Sequence, residues 1–169
     1  MADSDLIGAA HVLLDLCRRK GLKIAAAESC TGGLLTATLT EIPGSSDVVD
    51  RGFVTYSDQA KIAMLGVPAS TLEQRGAVSR ETAEAMARGA LAESGVDLAV
   101  SITGIAGPGG ATAGKPVGLV HLAAAARDGR MVHHPRNFGD VGRAQVRHAA
   151  VLEALDMLLE LARRNTPDV

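Results

Sequence analysis

Residues 23–33 read KIAAAESCTGG, and this stretch decides the fold of the chain. Its first five residues form a short, mainly apolar run, which predicts a buried strand over 23–27. The segment ESCTGG then predicts a tight turn, and residues 34–40 carry apolar side chains at helical spacing. Strand, turn and helix in this order are the unit from which α/β sheets are built.

The remaining segments add helices and strands on both sides of this unit. Helical periodicity, caps and glycine stops predict helices over 4–20, with Ser4 or Asp5 as N-cap, and over 58–65, 79–93 and 143–164. Runs of β-forming residues predict strands over 48–56, 97–103, 117–127 and 131–138, and Asp128-Gly129 predicts a hairpin between the last two. We therefore expect one α/β domain over residues 1–169, a three-layer α/β/α sandwich with a mixed sheet.

Composition argues against several classes of protein. The formal net charge is -2, and no Lys/Arg-rich stripe carries aromatic residues, so we expect no nucleic-acid partner. No apolar run reaches the roughly 18 residues of a membrane helix, and the N-terminus is acidic, so we expect no membrane association and a cytoplasmic location. The two cysteines, Cys17 and Cys30, form neither a disulfide framework nor a CxxC metal pattern.

The turn after the first strand is the first candidate site, because ligands gather where strands end and helix N-termini point. The backbone N–H groups of Thr31, Gly32 and Gly33 would suit a phosphate, a carboxylate or an oxyanion. The hydroxyl of Ser29 lies beside them, as a nucleophile does at a strand-to-helix turn. Ser29 could equally be an ordinary helix N-cap, and Cys30 is a rival nucleophile unless it is simply a small buried residue.

A second glycine-rich loop, TGIAGPGG at 103–110, follows the strand over 97–103. It matches neither the phosphate loop GxxxxGK[ST] nor GxGxxG followed by a helix, because the chain continues into a hairpin. A nucleoside triphosphate site is therefore not expected. The loop backbone can lie flat against a planar or phosphorylated ligand, although connectors without any function have the same composition.

A serine nucleophile needs a base, and the candidates are Lys61, Tyr56 and five histidines. For His11, His133, His134 and His148, an ordinary surface or core position is favoured over a role as base. Lys61 is the more interesting base, because a lysine near an apolar wall can lose its proton near neutral pH. No HExxH, His/Asp cluster or EF-hand pattern occurs, so we expect no metal.

Two arginines begin the last predicted helix. Arg143 and Arg147 are four residues apart and share one helix face, so they could grip a phosphate together. The alternative is a solvated basic face that also includes Arg136 and His148.

Taken together, these motifs resemble the C-terminal domain of the CinA proteins (competence-damage-inducible protein A), in order and over nearly the whole chain. The motifs are AESCTGG at 27–33, GFVTYS at 52–57 with Lys61, GAVS at 76–79, TGIAGPGG at 103–110 and KPVG at 115–118. The resemblance implies an α/β/α domain that deamidates nicotinamide mononucleotide to nicotinate mononucleotide and ammonia, in pyridine nucleotide salvage. It implies no metal or organic cofactor.

The resemblance also implies roles for individual residues. Ser29 would attack the amide carbon, and Lys61 with Tyr56 would move its proton. The other expected substrate contacts are Thr31, Gly32 and Gly33 at the oxyanion, Thr103, Gly104 and Gly107 along the substrate, and Arg143 or Arg147 at its phosphate.

Two departures narrow what the resemblance implies. The family often has Gly-Asp-Arg before its last helix, whereas this chain has Asp140-Val141-Gly142-Arg143, which shifts the acidic neighbour of the arginine. The chain resembles the single-domain form, so ADP-ribose pyrophosphatase activity of the N-terminal molybdopterin-binding-like domain is not expected.

The alternative function is a non-catalytic nucleotide-binding module linked to competence or the DNA damage response. The edge strand of the hairpin over 117–138 favours a homo-oligomer, a dimer or higher.

Overall fold

A computed structural model describes residues 3–165 of the predicted domain, leaving residues 1, 2 and 166–169 outside. The helices are α1 (Ser4–Lys20), α2 (Leu34–Thr40), α3 (Asp58–Leu65), α4 (Ala69–Arg75), α5 (Arg80–Ser94) and α6 (Arg143–Arg164), with a 3-10 turn at Ser45–Asp47. The strands are β1 (Ile24–Glu28), β2 (Val49–Val54), β3 (Leu98–Gly104), β4 (Leu119–Ala126) and β5 (Met131–Asn137). No helix in this part of the chain is both long and apolar enough to span a membrane.

The strands form one mixed sheet in the order β2-β1-β3-β4-β5. Strand β1 pairs in parallel with β2 and β3, whereas β4 runs antiparallel to both β3 and β5. Helices α1, α2 and α6 cover one face of the sheet, and α5 covers the other, with α3 and α4 packed against it. This confirms the predicted three-layer α/β/α sandwich.

Small side chains bring α5 close to the sheet. Ala83 and Ala87 of α5 pack against Ala123 and Ala125 of β4, and all four residues are buried. With so few aromatic residues in the chain, methyl groups set the distance between the layers.

A glycine sets the distance between α5 and α3. A Cβ built on Gly89 would lie 2.0 Å from the carbonyl oxygen of Leu65, so only glycine allows α5 to approach the end of α3 this closely. Because α3 carries Lys61, this contact also places that lysine relative to the sheet.

The ends of two helices test the predicted caps. Ser79 caps α5 as predicted, since its hydroxyl accepts a hydrogen bond from the Thr82 amide at 3.2 Å. The predicted caps of α1, Ser4 and Asp5, are wrong by one or two residues. The cap is Asp3, whose side chain accepts from the Asp5 amide at 3.4 Å.

Helix α4 is an element that sequence patterns miss. Its sequence, ASTLEQR, has no apolar periodicity, and Leu72 is the one residue of the helix that is buried. Pro68 precedes the helix and Gly76 ends it. Packing of Leu72 against the neighbouring layer, rather than intrinsic helix propensity, stabilises such a short helix.

Strands β4 and β5 form the hairpin predicted at Asp128-Gly129, where Gly129 takes φ +95. The Ala126 amide donates to the Arg130 carbonyl, and the pairing register then turns the nitrogen of Pro135 toward the free edge of β5. Proline has no N–H to donate, so this edge disfavours the strand-to-strand pairing that the hairpin suggested as an oligomer contact.

Candidate active site

A pocket of about 290 Å³ opens where the loops after β1, β2 and β3 meet. These three strands are parallel, so their carboxyl ends lie at one edge of the sheet. The predicted site residues that line the pocket are Ser29, Tyr56, Lys61, Thr103, Gly104, Gly107 and Arg143. Thr31, Gly32, Gly33 and Arg147 are not among its lining residues.

Ser29 and Lys61 are in direct contact in the pocket. Nζ of Lys61 lies 3.0 Å from Oγ of Ser29, 2.9 Å from the Thr55 carbonyl and 3.4 Å from the Tyr56 carbonyl. Lys61 is 1% exposed, and no carboxylate pairs with it among residues 3–165. A neutral amine here can donate to the carbonyls and accept the proton of the serine hydroxyl, as a base does for a serine nucleophile.

The surroundings of Lys61 favour that neutral form. Burial lowers the pKa of the amine from its ordinary 10.5, because the ammonium ion loses its hydration, while Asp58 and Cys30 act in the opposite direction. Desolvation is the largest of these effects. Ser29 therefore contacts an amine whose pKa is lowered.

A buried carboxylate shapes the turn that carries Ser29. Glu28, the last residue of β1, is fully buried and accepts hydrogen bonds from the amides of Gly33, Leu35 and Thr36 at 3.1, 3.1 and 2.9 Å. The hydroxyl of Thr36 also donates to it at 2.9 Å. Glu28 therefore caps α2 from the strand side, with its negative charge at the positive end of the helix.

The predicted oxyanion donors need a correction. The amide of Gly32 donates to the Ser29 carbonyl at 3.0 Å, and that of Gly33 donates to Glu28, so neither is free for a substrate. The amides of Cys30 and Thr31 donate to no other residue within 3–165. Of these two residues, Cys30 lines the pocket and Thr31 is fully buried outside the lining, so the candidate donor is the Cys30 amide, next to the serine in the chain.

Arg143 joins two loops at the mouth of the pocket. Its guanidinium donates to the Gly107 carbonyl at 2.9 Å and to the hydroxyl of Tyr56 at 3.0 Å. Tyr56 is 61% exposed, so its ring lies at the rim. The prediction that Tyr56 helps to move the serine proton gains no support, because its hydroxyl bonds to Arg143 and not to Lys61.

Arg147 lies elsewhere, although it shares a helix face with Arg143. It donates to the Thr31 carbonyl at 2.9 Å, outside the pocket lining. One helical turn along α6, about 5.4 Å, is enough to move this side chain from the pocket mouth to the first loop. The structure therefore gives the two arginines different partners.

The loop after β3 forms one wall of the pocket. Thr103 donates its hydroxyl proton to the Ala77 carbonyl at 2.7 Å, which ties the end of β3 to the segment before α5. Gly107 has φ +82, and a Cβ there would lie 2.5 Å from a Val117 methyl group. Gly104 is equally tight, with 2.6 Å to a methyl group of Val120. These glycines let the loop pack on the hairpin and leave the pocket open.

Comparison with known proteins is decisive for the family. The chain matches the family model described as CinA C-terminal domain over residues 8–162. It belongs to the CinA C-terminal domain family. The crystal structure of competence/damage inducible protein CihA from Agrobacterium tumefaciens superposes with a TM-score of 0.94 at 53% identity, covering 95% of this chain and 98% of that one. A CinA superfamily protein from Klebsiella pneumoniae gives 0.90 at 33% identity, covering 95% and 99%.

Relatives of this CinA domain differ in length. Nicotinamide-nucleotide amidohydrolase PncC from Enterobacter agglomerans is 47% identical over 146 residues, which are 86% of this chain and 89% of that protein. A CinA-like protein from Akkermansia muciniphila is 49% identical over 153 residues, which are 88% of this chain but 36% of that protein. The chain thus spans about a third of the length of the first curated relatives it matches.

The structure of this CinA domain argues against Cys30 as the nucleophile and against the histidines as the base. Cys30 is buried, and burial raises the pKa of its thiol to about 11, which suppresses the reactive thiolate. His121 and His133 contact each other at 2.9 Å, and His134 bonds to Glu153 at 2.6 Å, away from the pocket lining. Within residues 3–165, no three His, Cys, Asp or Glu side chains converge as metal ligands.

Sequence reasoning missed part of the pocket wall of this CinA domain. Ala77 and Val78 also line the pocket, beside the end of β3, where the Ala77 carbonyl accepts from Thr103. The signal was present, because both lie in the family motif GAVS at 76–79, but small apolar residues suggest no chemistry by themselves.

Proposed function

We propose that this chain is an amidohydrolase that converts nicotinamide mononucleotide and water to nicotinate mononucleotide and ammonia, in pyridine nucleotide salvage. The observation that carries the proposal is the 3.0 Å contact between Lys61 Nζ and Ser29 Oγ in a pocket with an arginine at its mouth. The 47% identity to a nicotinamide-nucleotide amidohydrolase supports nicotinamide mononucleotide as the substrate.

The first half of the reaction forms an acyl-enzyme. Neutral Lys61 takes the proton of Ser29 while Oγ bonds to the carboxamide carbon, and the carbonyl oxygen becomes an alkoxide. The amide of Cys30, which lines the pocket and donates to no other residue within 3–165, is a backbone donor available to that alkoxide. The carbon–nitrogen bond then breaks, and the proton on Lys61 passes to the departing nitrogen, which leaves as ammonia.

The second half releases the product. Lys61, neutral again, takes a proton from water as the water oxygen bonds to the ester carbon. The tetrahedral intermediate collapses, the bond to Ser29 Oγ breaks, and Lys61 returns its proton to the serine. The product leaves as the carboxylic acid and gives its proton to water to become nicotinate mononucleotide, and the original protonation states of Ser29 and Lys61 are restored.

The charges and hydrogen-bonding groups of the pocket suit this substrate. The nicotinamide ring of the mononucleotide is a pyridinium cation, which a neutral lysine tolerates better than an ammonium ion. Arg143 is exposed at the mouth and donates to Gly107 and Tyr56, so its guanidinium can turn to the phosphate. Thr103 has lone pairs left to accept from the carboxamide, because its hydroxyl proton is given to Ala77.

Ammonia release from nicotinamide mononucleotide tests the proposal. The purified parent should release ammonia in the presence of a chelator, Ser29→Ala should release none above background, and Ser70→Ala should match the parent. Ser70 is the control because it is an exposed serine on α4, outside the pocket lining. A folded parent that binds the nucleotide but releases no ammonia would contradict the proposal and favour the non-catalytic binding module.

A further inference from the structure

Arg147 packs against the turn that carries the nucleophile. Its guanidinium donates to the Thr31 carbonyl at 2.9 Å, and a Cβ built on Gly32 would lie 3.8 Å from the same nitrogen. The residue lies outside the pocket lining, whereas Arg143, one helical turn earlier, lines it. The two arginines of α6 therefore reach the site from different sides.

The hydrogen bond from Arg147 is one of three that hold a single peptide unit. The Thr31 carbonyl also accepts from the Leu34 amide at 3.0 Å, and the N–H at the other end of the same peptide, that of Gly32, donates to the Ser29 carbonyl at 3.0 Å. Because a peptide unit is planar, holding its oxygen and its nitrogen fixes the orientation of the whole unit. The amide of Cys30, which donates to no other residue within 3–165, lies in the turn just before this peptide unit.

The charge of Arg147 acts on the same turn. Burial raises the pKa of the Cys30 thiol, and the guanidinium of Arg147 opposes that rise, so its positive charge reaches the residue after the nucleophile. Nε of Arg147 is buried without a hydrogen-bond partner among residues 3–165. The side chain therefore packs against the turn, and its hydrogen bond to the turn is made to the Thr31 carbonyl.

We infer that Arg147 is a positioning residue, which holds the turn so that the amide of Cys30, a residue of the pocket lining, is oriented to receive the carbonyl oxygen of the substrate. The inference rests on the proposed function. It separates Arg147 from Arg143, because a residue that orients the oxyanion donors acts on the chemical step, whereas a phosphate ligand acts first on substrate binding.

Steady-state kinetics of Arg147→Met with nicotinamide mononucleotide test the inference. We expect kcat to fall by about 10- to 100-fold, because misplacement of reacting groups on the scale of 1 Å costs that much. We expect KM to stay within about twofold, and Arg147→Lys, which keeps the charge and a donor, to recover part of kcat. Arg163→Met is the matched control, since Arg163 is an exposed arginine on the same helix, and it should leave both constants unchanged.

Two results would overturn the inference. A rise in KM with kcat unchanged would make Arg147 a phosphate ligand, as the sequence suggested, and unchanged constants would make it a surface residue. Thermal unfolding of each variant separates a local effect from loss of fold, because a fall in kcat that merely follows a fall in Tm, without rescue by Arg147→Lys, also counts against it.

A second readout does not depend on turnover of the nucleotide. Phenylmethylsulfonyl fluoride would form a sulfonyl ester with Ser29 Oγ and release fluoride, and mass spectrometry gives the rate. Arg147→Met should slow this labelling, and Arg163→Met should not. If the parent labels but releases no ammonia, the proposed function fails and the labelling rates still decide the role of Arg147. If the parent does not label at all, the inference fails too.

Discussion

The carboxylate of Glu28 accepts both the amide and the hydroxyl of Thr36, each at 2.9 Å. These bonds, with those from Gly33 and Leu35, join the end of β1 to the start of α2 on the side of the turn away from the pocket. Since Ser29 is the next residue after Glu28, the direction of the nucleophile depends on a carboxylate that is buried outside the pocket lining.

Replacing Glu28 by glutamine should therefore weaken both the fold and the activity. A glutamine side chain keeps one acceptor oxygen but turns an NH2 group toward amide donors, so we expect a loss of about 1–3 kcal/mol in the free energy of unfolding. Chemical denaturation measures it. Glu41→Gln, at an exposed position after the same helix, should change stability by less than about 0.5 kcal/mol. Equal effects of the two changes would contradict this account of the turn.

The reaction should depend on pH through Lys61. Because burial lowers the pKa of the amine, and because the neutral form takes the serine proton, kcat/KM should rise with pH and level off below the ordinary lysine value of 10.5. Lys61→Arg, which stays protonated, should lose at least about 100-fold in kcat/KM at every pH. A midpoint at the ordinary lysine value, or a profile without a basic plateau, would argue for another base.

Thiol reagents should leave the enzyme active. Burial raises the pKa of Cys30 to about 11 and that of Cys17 to about 12, so iodoacetamide should label neither in the folded protein near neutral pH. Labelling of both in denaturant, followed by mass spectrometry, is the control. Cys30→Ala should retain kcat within a few-fold, and inactivation by iodoacetamide at the rate of Cys30 labelling would restore the thiol as a candidate nucleophile.

Two helical glycines should respond in opposite directions to alanine. Gly89→Ala places a methyl group against the Leu65 carbonyl, so overpacking should cost about 1–3 kcal/mol, and it should also lower activity by shifting the helix that carries Lys61. Gly8→Ala, in α1 with nothing within 4 Å of the new methyl group, should stabilise the protein by about 0.5–1 kcal/mol. Urea denaturation of both variants checks the pair, and equal signs would refute the contact with Leu65.

The paired imidazoles of His121 and His133 should make the fold sensitive to acid. Burial, followed by neighbouring positive charges, lowers the pKa of both rings from 6.5, while Glu81 and Glu84 only partly oppose this. The folded state then binds fewer protons than the unfolded chain, so stability is complete above about pH 6.5 and falls as the pH drops toward the lowered pKa values.

Denaturation at about pH 7.5 and about pH 5.5 measures that loss. His133→Gln should reduce the difference in unfolding free energy between the two conditions, and His11→Gln, at an exposed position on α1, should not. The same difference in all three proteins would place the acid sensitivity elsewhere.

The strength of the local signals decided how much of the fold could be predicted. Buried strands with glycine turns, such as 23–33, and helices with a cap and a stop, such as α5, carry their own signals. Helix α4 does not, because packing of Leu72 holds it and no periodic pattern is left in the sequence.

The residues of the site could be predicted from the sequence more readily than their hydrogen-bond partners. The family motifs brought Ser29 and Lys61 to one pocket, as the structure shows. The assignment of the Gly33 amide failed because Glu28, seen in the sequence only as a strand-end acid, takes that donor. The spacing of Arg143 and Arg147 predicts that they share a helix face. It does not predict which loop each side chain contacts, and the two contact different loops.

The chain contains a single tyrosine and no tryptophan, and that tyrosine is Tyr56 at the mouth of the pocket. Under excitation that phenylalanine does not absorb, the emission of the protein therefore comes from one ring, whose hydroxyl accepts a hydrogen bond from Arg143. Any ligand that draws the arginine away changes the surroundings of that ring. Binding of a non-absorbing sugar phosphate can thus be followed by fluorescence titration of the unlabelled protein, without any chemical turnover.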